Sequence, residues 1–351
     1  MFRFPRSLLI VIAIASVAWC KEDPTCARTN GYSVCHRNGV LVEVTQLESE
    51  ERLGIEDLDL LAIKEDAFRN LTTVRLSFSL GNKISVVERG SFRGLEKLER
   101  LDLDSNVVPL SPNLFAELKQ LRSLSVIFNK INSVPKDSFA GLTNLMWLYL
   151  GHNDIESLNK DSFSGLSPSL LFLWLNDNKI ASIETGTFRH TPDLYRLHLE
   201  GNQLTSIPPA IFKGLYRLDG LFLEQNKLTT ISASDFKTLS ALRILHLQFN
   251  QISSIDSGAF AELGQLEQLD LRKNQLSHVD SGMFTGLTSL KKLDLSDNRI
   301  SVVDTGAFSA LPALRNLNIV NNNMSSVDRK AIGLATMAML YTGIYNIHNG
   351  L

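Results

Sequence analysis

Asparagine returns along this chain with a period that few folds can satisfy. It stands at Asn106, Asn129, Asn153, Asn178, Asn202, Asn226, Asn250, Asn274, Asn298 and Asn322, mostly 24 residues apart. Each falls in the register L-x-x-L-x-L-x-x-N-x-[LI], with another apolar residue in a leucine place in a few copies, as in LMWLYLGHNDI, LLFLWLNDNKI and LYRLHLEGNQL. An eleventh copy, LTTVRLSFSLGNKI, fits the same register from Leu71 with three extra residues before Asn82. A second series keeps step with the first: Phe68, Phe92, Phe115, Phe139, Phe163, Phe188, Phe212, Phe236, Phe260, Phe284 and Phe308. Two phased ladders imply a stack of like units, each a short strand with leucines on one side and a return through loop and turn. One unit alone cannot bury its leucines, so neighbours must cover them. At about 1.5–3 kcal/mol per buried Leu or Phe, several per unit can offset the chain entropy. The asparagine amide can pair with loop backbone groups that have no ladder partner.

The pattern resembles the leucine-rich repeat family in its 24-residue extracellular class, over about four fifths of the chain. It is similar to the repeats of Toll-type receptors, variable lymphocyte receptors and short insect leucine-rich immune proteins. The resemblance implies an α/β solenoid, a horseshoe with a parallel concave β-sheet and about eleven clear repeats. It also implies a phenylalanine spine on the convex side, a disulfide-bearing N-terminal cap and a degenerate C-terminal unit.

The ends depart from the repeat. Arg3 and Arg6 precede an apolar run from Leu8 to Ala18 that is too short to span a bilayer, which suits a secretory signal peptide over residues 1–20. Cleavage after Ala18 and after Cys20 both fit. The second leaves two cysteines, Cys26 and Cys35, whose even count favours one disulfide; the first leaves Cys20 as an odd thiol, free for another chain. Residues 21–52 are expected to form the cap, with CARTNGYSVC ahead of an alternating strand around Leu41 to Val44. The repeats then run over 53–325, with IEDLDLLAI as a shortened first unit. Residues 326–351 form the degenerate last unit, in which Ile332 takes the phenylalanine place and a faint register continues through Tyr341, Asn346 and His348. No stretch after residue 20 approaches the roughly 20 apolar residues of a membrane helix, so a secreted, extracellular product is expected.

Alternation sends the non-leucine residues of each strand out of the concave sheet. Between the second and third leucines the units carry Arg75, Asp102, Ser125, Tyr149, Trp174, His198, Phe222, His246, Asp270, Asp294 and Asn318. Two positions earlier they carry Thr73, Arg100, Ser123, Trp147, Phe172, Arg196, Gly220, Ile244, Gln268, Lys292 and Asn316. With Tyr195 and Phe249 on flanking positions, the residues Trp147, Tyr149, Phe172, Trp174, His198, Phe222 and His246 make an aromatic patch about 20 Å long at a strand spacing of ~4.8 Å. Such a patch commonly marks a partner site. The blander account is that neighbouring rings favour strand structure and stack on one another. Mixed charges border the patch, Glu99, Arg100, Asp102 and Asp104 on one side and Glu267, Asp270, Arg272, Lys273, Lys291, Lys292 and Asp294 on the other. A polar rim around an aromatic centre is the anatomy of a protein interface.

The remaining chemistry is sparse. A net charge of −2 leaves no footprint for nucleic acid. No phosphate-binding loop, nucleophile elbow or HExxH motif is present. His198 and His246 are separated by the strand of Phe222, roughly 10 Å at ordinary strand spacing, too far to share a metal. Asp270 and Asp294 adjoin each other, with Arg272, Lys273 and Lys292 near enough in register to neutralise them. No catalytic residue, metal or cofactor is therefore expected. Asn70-Leu-Thr and Asn323-Met-Ser match the glycosylation acceptor pattern. Together these features describe a non-enzymatic binding protein with a protein, glycan or other macromolecular ligand on its concave face. The resemblance implies innate immune recognition, receptor modulation, matrix adhesion with assembly through the ends, or a receptor ectodomain.

Overall fold

The computed structural model describes residues 23–343 and the backbone of the strand Ile347–His348. Residues 1–20, where the sequence suggests a signal peptide and which include Cys20, lie outside the described residues, as do Asn346 and the side chain of His348. Thirteen strands of three residues, from Arg52–Gly54 to Met339–Tyr341, lie side by side in chain order as one parallel sheet. Each presents one central residue to the core. In Phe172–Trp174 that residue is Leu173, fully buried, while both flanking side chains are half-buried on the outer face. The return path is made of turns and two-residue strands, and the only helical turn among the described residues is Thr187–His190. A unit of this length has too few residues left after its strand and asparagine loop to wind a full helix.

The phenylalanine series lies inside the stack, from Phe68 to Phe308, each at most a few per cent exposed. Neighbouring rings stack at 5.8 Å for Phe92 and Phe115 and 6.0 Å for Phe163 and Phe188. The asparagines stitch one unit to the next. Asn178 donates from Nδ2 to the carbonyls of Leu175 in its own unit (3.1 Å) and Leu150 in the preceding one (3.0 Å). Its Oδ1 accepts the N–H of Ile155 at 3.0 Å. Three backbone groups that the loop leaves without ladder partners are thereby satisfied.

The N-terminal strands Thr25–Thr29, Tyr32–Arg37 and Val40–Gln46 form an antiparallel meander. Its third strand continues in parallel onto Ala62–Ile63 and Val86–Val87, covering the end of the stack. Cys26 and Cys35 face each other in the first hairpin and are joined by a disulfide.

In one unit the register differs from the sequence expectation. Leu76, not Val74, pairs with Leu53 and Leu101 on the adjoining strands. Thr73 therefore stands in the first leucine place, Phe78 in the third, and one residue rather than three is inserted before Asn82. Thr73 is fully buried there because the hydroxyl of buried Tyr32, from the cap, lies 2.9 Å from its Oγ1. The Tyr32 hydroxyl also donates to the carbonyl of Glu50. Arg75 thus belongs to the row of Arg100 and Trp147, and Ser77 to the row of Tyr149 and Trp174.

Candidate functional site

The parallel register aligns the outward residues of successive strands into rows. Tyr149, Trp174, His198, Phe222 and His246 are direct neighbours across five strands. Their rings form a continuous ladder, with centroids 4.2 Å apart for Tyr149–Trp174, 5.2 Å for Trp174–His198 and 4.2 Å for His198–Phe222. These three contacts are face to face, and His246 then meets Phe222 edge-on at 5.1 Å. In the adjoining row Trp147 stacks on Phe172 at 6.1 Å, and Tyr195 meets Phe172 edge-on at 5.9 Å. Offset-stacked and edge-to-face pairs are the favoured arrangements of aromatic rings.

The rings differ in what they offer to solvent. Trp147, Tyr149, Phe172, Trp174, His198 and His246 are half-buried, and Tyr195 is exposed. Phe222 is only 9% exposed. Its ring folds back over Gly220, where an added Cβ would lie 3.1 Å from the ring. Phe222 thereby supports the ladder from below and presents little surface of its own. Phe249 lies apart, on the loop leaving its strand, at a positive φ of 58°. The ammonium of Lys273 sits 4.8 Å from its ring centre, and the Arg272 guanidinium 5.7 Å. Phe128 occupies the equivalent loop position and stacks on His152 at 4.5 Å.

Two carboxylates that the sequence reading passed over border the ladder. Glu200 Oε1 lies 3.0 Å from His198 Nδ1, and Glu224 Oε1 lies 3.7 Å from His246 Nδ1. The second oxygen of each is enclosed without a hydrogen-bond partner among the described residues. Their signal was their place, one residue past the third leucine, which also faces the concave side. Burial pushes the Tyr149 phenol above its ordinary range, with the Arg100 charge acting weakly against it.

Further along the sheet, His246, Gln268, Asp270, Lys292, Asp294, Asn318 and Tyr341 are among the residues lining a hollow of about 430 Å³. Asp270 and Asp294 are register neighbours there. Arg272 Nε lies 3.3 Å from Asp270 Oδ2, as the sequence suggested. Lys273 instead covers Phe249, and Asp294 accepts from the Ser296 N–H at 2.9 Å and from Asn318 Nδ2 at 3.0 Å. Burial raises the Asp270 carboxyl above its usual value, against the Arg272 N–H and charge, which lower it. No group of three or more His, Cys, Asp or Glu side chains suited to a metal occurs among the described residues. No helix among them is long and apolar enough to cross a membrane.

Comparisons with known proteins agree with the repeat fold. The family model described as leucine rich repeat matches residues 69–131, 119–180, 168–223, 192–252, 240–300, 265–324 and 288–341. A search of curated proteins gave no match. Among solved structures, TLR13 crystallised with ssRNA13 is 30% identical over 82% of this chain, with a TM-score of 0.74. The chain spans 41% of the length of that TLR13 chain. A chain in the octameric complex of latrophilin 3, Unc5D and FLRT2 is 25% identical over 65% of this chain and 76% of its own length (TM-score 0.54). In the mouse RP105/MD-1 complex a chain shares the fold at 24% identity, over 80% of this chain and 48% of that one (TM-score 0.68).

Proposed function

The chain belongs to the leucine-rich repeat family, and from that premise we propose that it is a secreted binding protein that recognises a protein or other macromolecular ligand through its concave face. The observation that carries this reading is the ladder from Tyr149 to His246. Leu148, Leu173, Leu197, Leu221 and Leu245 complete the core behind it, so the scaffold has no need of five rings in front. Trp147, Trp174 and Tyr195 supply large amphipathic surfaces with few rotatable bonds, as binding surfaces commonly do. Phe249, His198 and His246 would contact the rim of a ligand, and Phe222 would act as support.

Innate immune recognition or receptor modulation is the role we assign. The likeness to TLR13, a protein crystallised with an RNA, and to assemblies containing FLRT2 supports a partner-binding role in general. Fold alone does not choose the ligand. The boundaries 1–20, 21–52, 53–325 and 326–351 and the glycosylation of Asn70 and Asn323 belong to the same proposal. Both asparagines are exposed and lie off the aromatic strands, so glycans there would leave the concave centre clear.

The test is capture from extracellular fluid of the source by wild-type protein and by a Trp147→Ser/Trp174→Ser variant, with melting curves for both. The reading expects the variant to melt within a few degrees of wild type and to lose a specific partner. Capture of the same partners by both would sink it. Mass spectrometry of protein recovered from culture medium checks the cleavage site and glycans in one measurement.

A second reading, an adhesion or assembly scaffold joined end to end, draws on Met337, Met339 and Tyr341, which are exposed in the last described unit. It expects a ligand-independent dimer with a second copy in sedimentation, lost in a Met337→Ser/Met339→Ser variant.

A further inference from the structure

Three arginines stand in line at the N-terminal end of the concave face, away from the aromatic ladder. Arg52, Arg75 and Arg100 are direct register neighbours on three successive strands. All three are exposed. Strands ~4.8 Å apart bring three positive charges within about 10 Å of one another. Like charges directly opposite each other weaken a sheet. Elsewhere on this face several cations have acidic partners: Arg243 and Lys291 hold Glu267 at 2.6 and 2.7 Å, and Arg196 and Arg243 flank Asp219. The side chains of Arg52, Arg75 and Arg100 make no ion pair or hydrogen bond with described residues.

Space accompanies the charge. In the row where Tyr149 and Trp174 stand further along, these strands carry Gly54, Ser77 and Asp102. With the arginines they line a hollow of about 280 Å³, which holds three guanidinium groups against one carboxylate. A guanidinium keeps its charge at any physiological pH and offers a planar fork of donors to oxyanions.

We propose that this hollow binds the sulfate esters of a sulfated polysaccharide, with Arg52, Arg75 and Arg100 on the sulfates and Asp102 and Ser77 accepting from sugar hydroxyls. The balance of donors chooses among polyanions. An acidic peptide brings an N–H at nearly every residue, more donors than Asp102 and Ser77 can accept from, whereas a sulfated sugar is almost wholly acceptor oxygen and hydroxyl. Single-stranded nucleic acid gains much of its affinity from bases stacked on aromatic faces. Here the faces of Trp174 and His198 are taken by their neighbours.

The experiment measures binding of the full chain to heparin, N- and O-desulfated heparin, poly-L-glutamate and a single-stranded oligoribonucleotide. It compares wild type, Arg52→Ser/Arg75→Ser/Arg100→Ser, and a control with the same loss of charge at exposed lysines elsewhere, Lys119→Gln/Lys213→Gln/Lys237→Gln. Wild type is expected to prefer heparin over its desulfated form and over the other two probes by about tenfold or more, with affinity falling steeply as salt rises. The arginine triple should lose about tenfold or more and flatten that salt dependence, while the lysine control stays within about threefold. If the triple does not fold, Arg75→Gln alone must weaken heparin binding. Equal loss in the control, no preference for sulfate, or tighter binding of peptide or RNA overturns the proposal. Trp147→Ser/Trp174→Ser should leave heparin binding unchanged, so this site and the aromatic one fail separately.

Discussion

Two aromatic ladders run along this molecule, and they differ in nearly everything except stacking. The inner one is a single residue type, recurs in eleven units and is buried throughout. The outer one mixes Tyr, Trp, His and Phe, covers five strands and leaves most of its rings half-exposed. The inner rings stack at 5.8–6.4 Å, a spacing set by the units that carry them. The outer rings close to 4.2 Å, because side chains on the open face are free to lean together. Periodicity that spans every unit therefore marks scaffold, and periodicity confined to a few adjacent strands marks a local specialisation.

The largest effect is expected where the inner ladder is cut. Phe163→Ala removes a fully buried ring that stacks on Phe188 and should cost about 3–5 kcal/mol, read from denaturant unfolding. A loss under about 1 kcal/mol would mean that the convex side tolerates a void and that the distinction between ladders is unsound. Next comes Asn178→Ala, which leaves the Ile155 N–H buried without its acceptor, while the carbonyls of Leu150 and Leu175 keep the Nδ2 donors of Asn153 and Asn202. About 1–3 kcal/mol should be lost, the cost of one unsatisfied buried group. Hydrogen exchange should localise the damage to the units around residues 150–178, since each unit contacts only its neighbours.

How far the sequence exposes this structure follows from the same contrast. The leucine, asparagine and phenylalanine series are legible because one physical demand recurs in each unit. The outward rows are legible for a simpler reason, strict alternation about a buried leucine. Thr73 hides its unit's register because a polar residue fills a leucine place, and its partner, Tyr32, is 41 residues away. With that register misplaced, Arg75 falls in the wrong row and the line Arg52–Arg75–Arg100 cannot be seen. Phe222 illustrates a different limit. Alternation fixes its face, but only the absence of a side chain at Gly220 lets the ring fold down, and that is a matter of rotamers rather than pattern.

Trp174→Ser tests the outer ladder directly. The ring loses three stacked neighbours, Tyr149, His198 and, at 5.8 Å, Phe172, so at about 0.5–1 kcal/mol for each half-exposed pair a stability loss of about 1.5–3 kcal/mol is expected. That is smaller than the loss at Phe163, and the order of the two is the prediction. Should the tryptophan cost as much as the phenylalanine, the outer ladder would be scaffold and its exposure incidental.

The smallest effect should come from Asp270, beyond the aromatic end of the same face. Burial raises its carboxyl above the ordinary 3.8, and the Asp294 charge adds to the rise, while the Arg272 N–H and charge and the His246 charge pull it down. A carboxyl raised on folding holds its proton more tightly in the native state. Its contribution to stability is complete below the unfolded value and is lost as pH climbs through the folded one. Asp270→Asn keeps an oxygen to accept the Arg272 N–H, now at 3.0 Å, and removes the buried charge. The variant should therefore melt slightly higher than wild type at pH 7, and the two curves should converge as the pH falls below the carboxylate range. A variant less stable at pH 7 would show that the ion pair with Arg272 outweighs desolvation. The hollow would then owe its shape to a salt bridge, unlike the centre of the aromatic ladder beside it, where Trp174 is held by ring contacts.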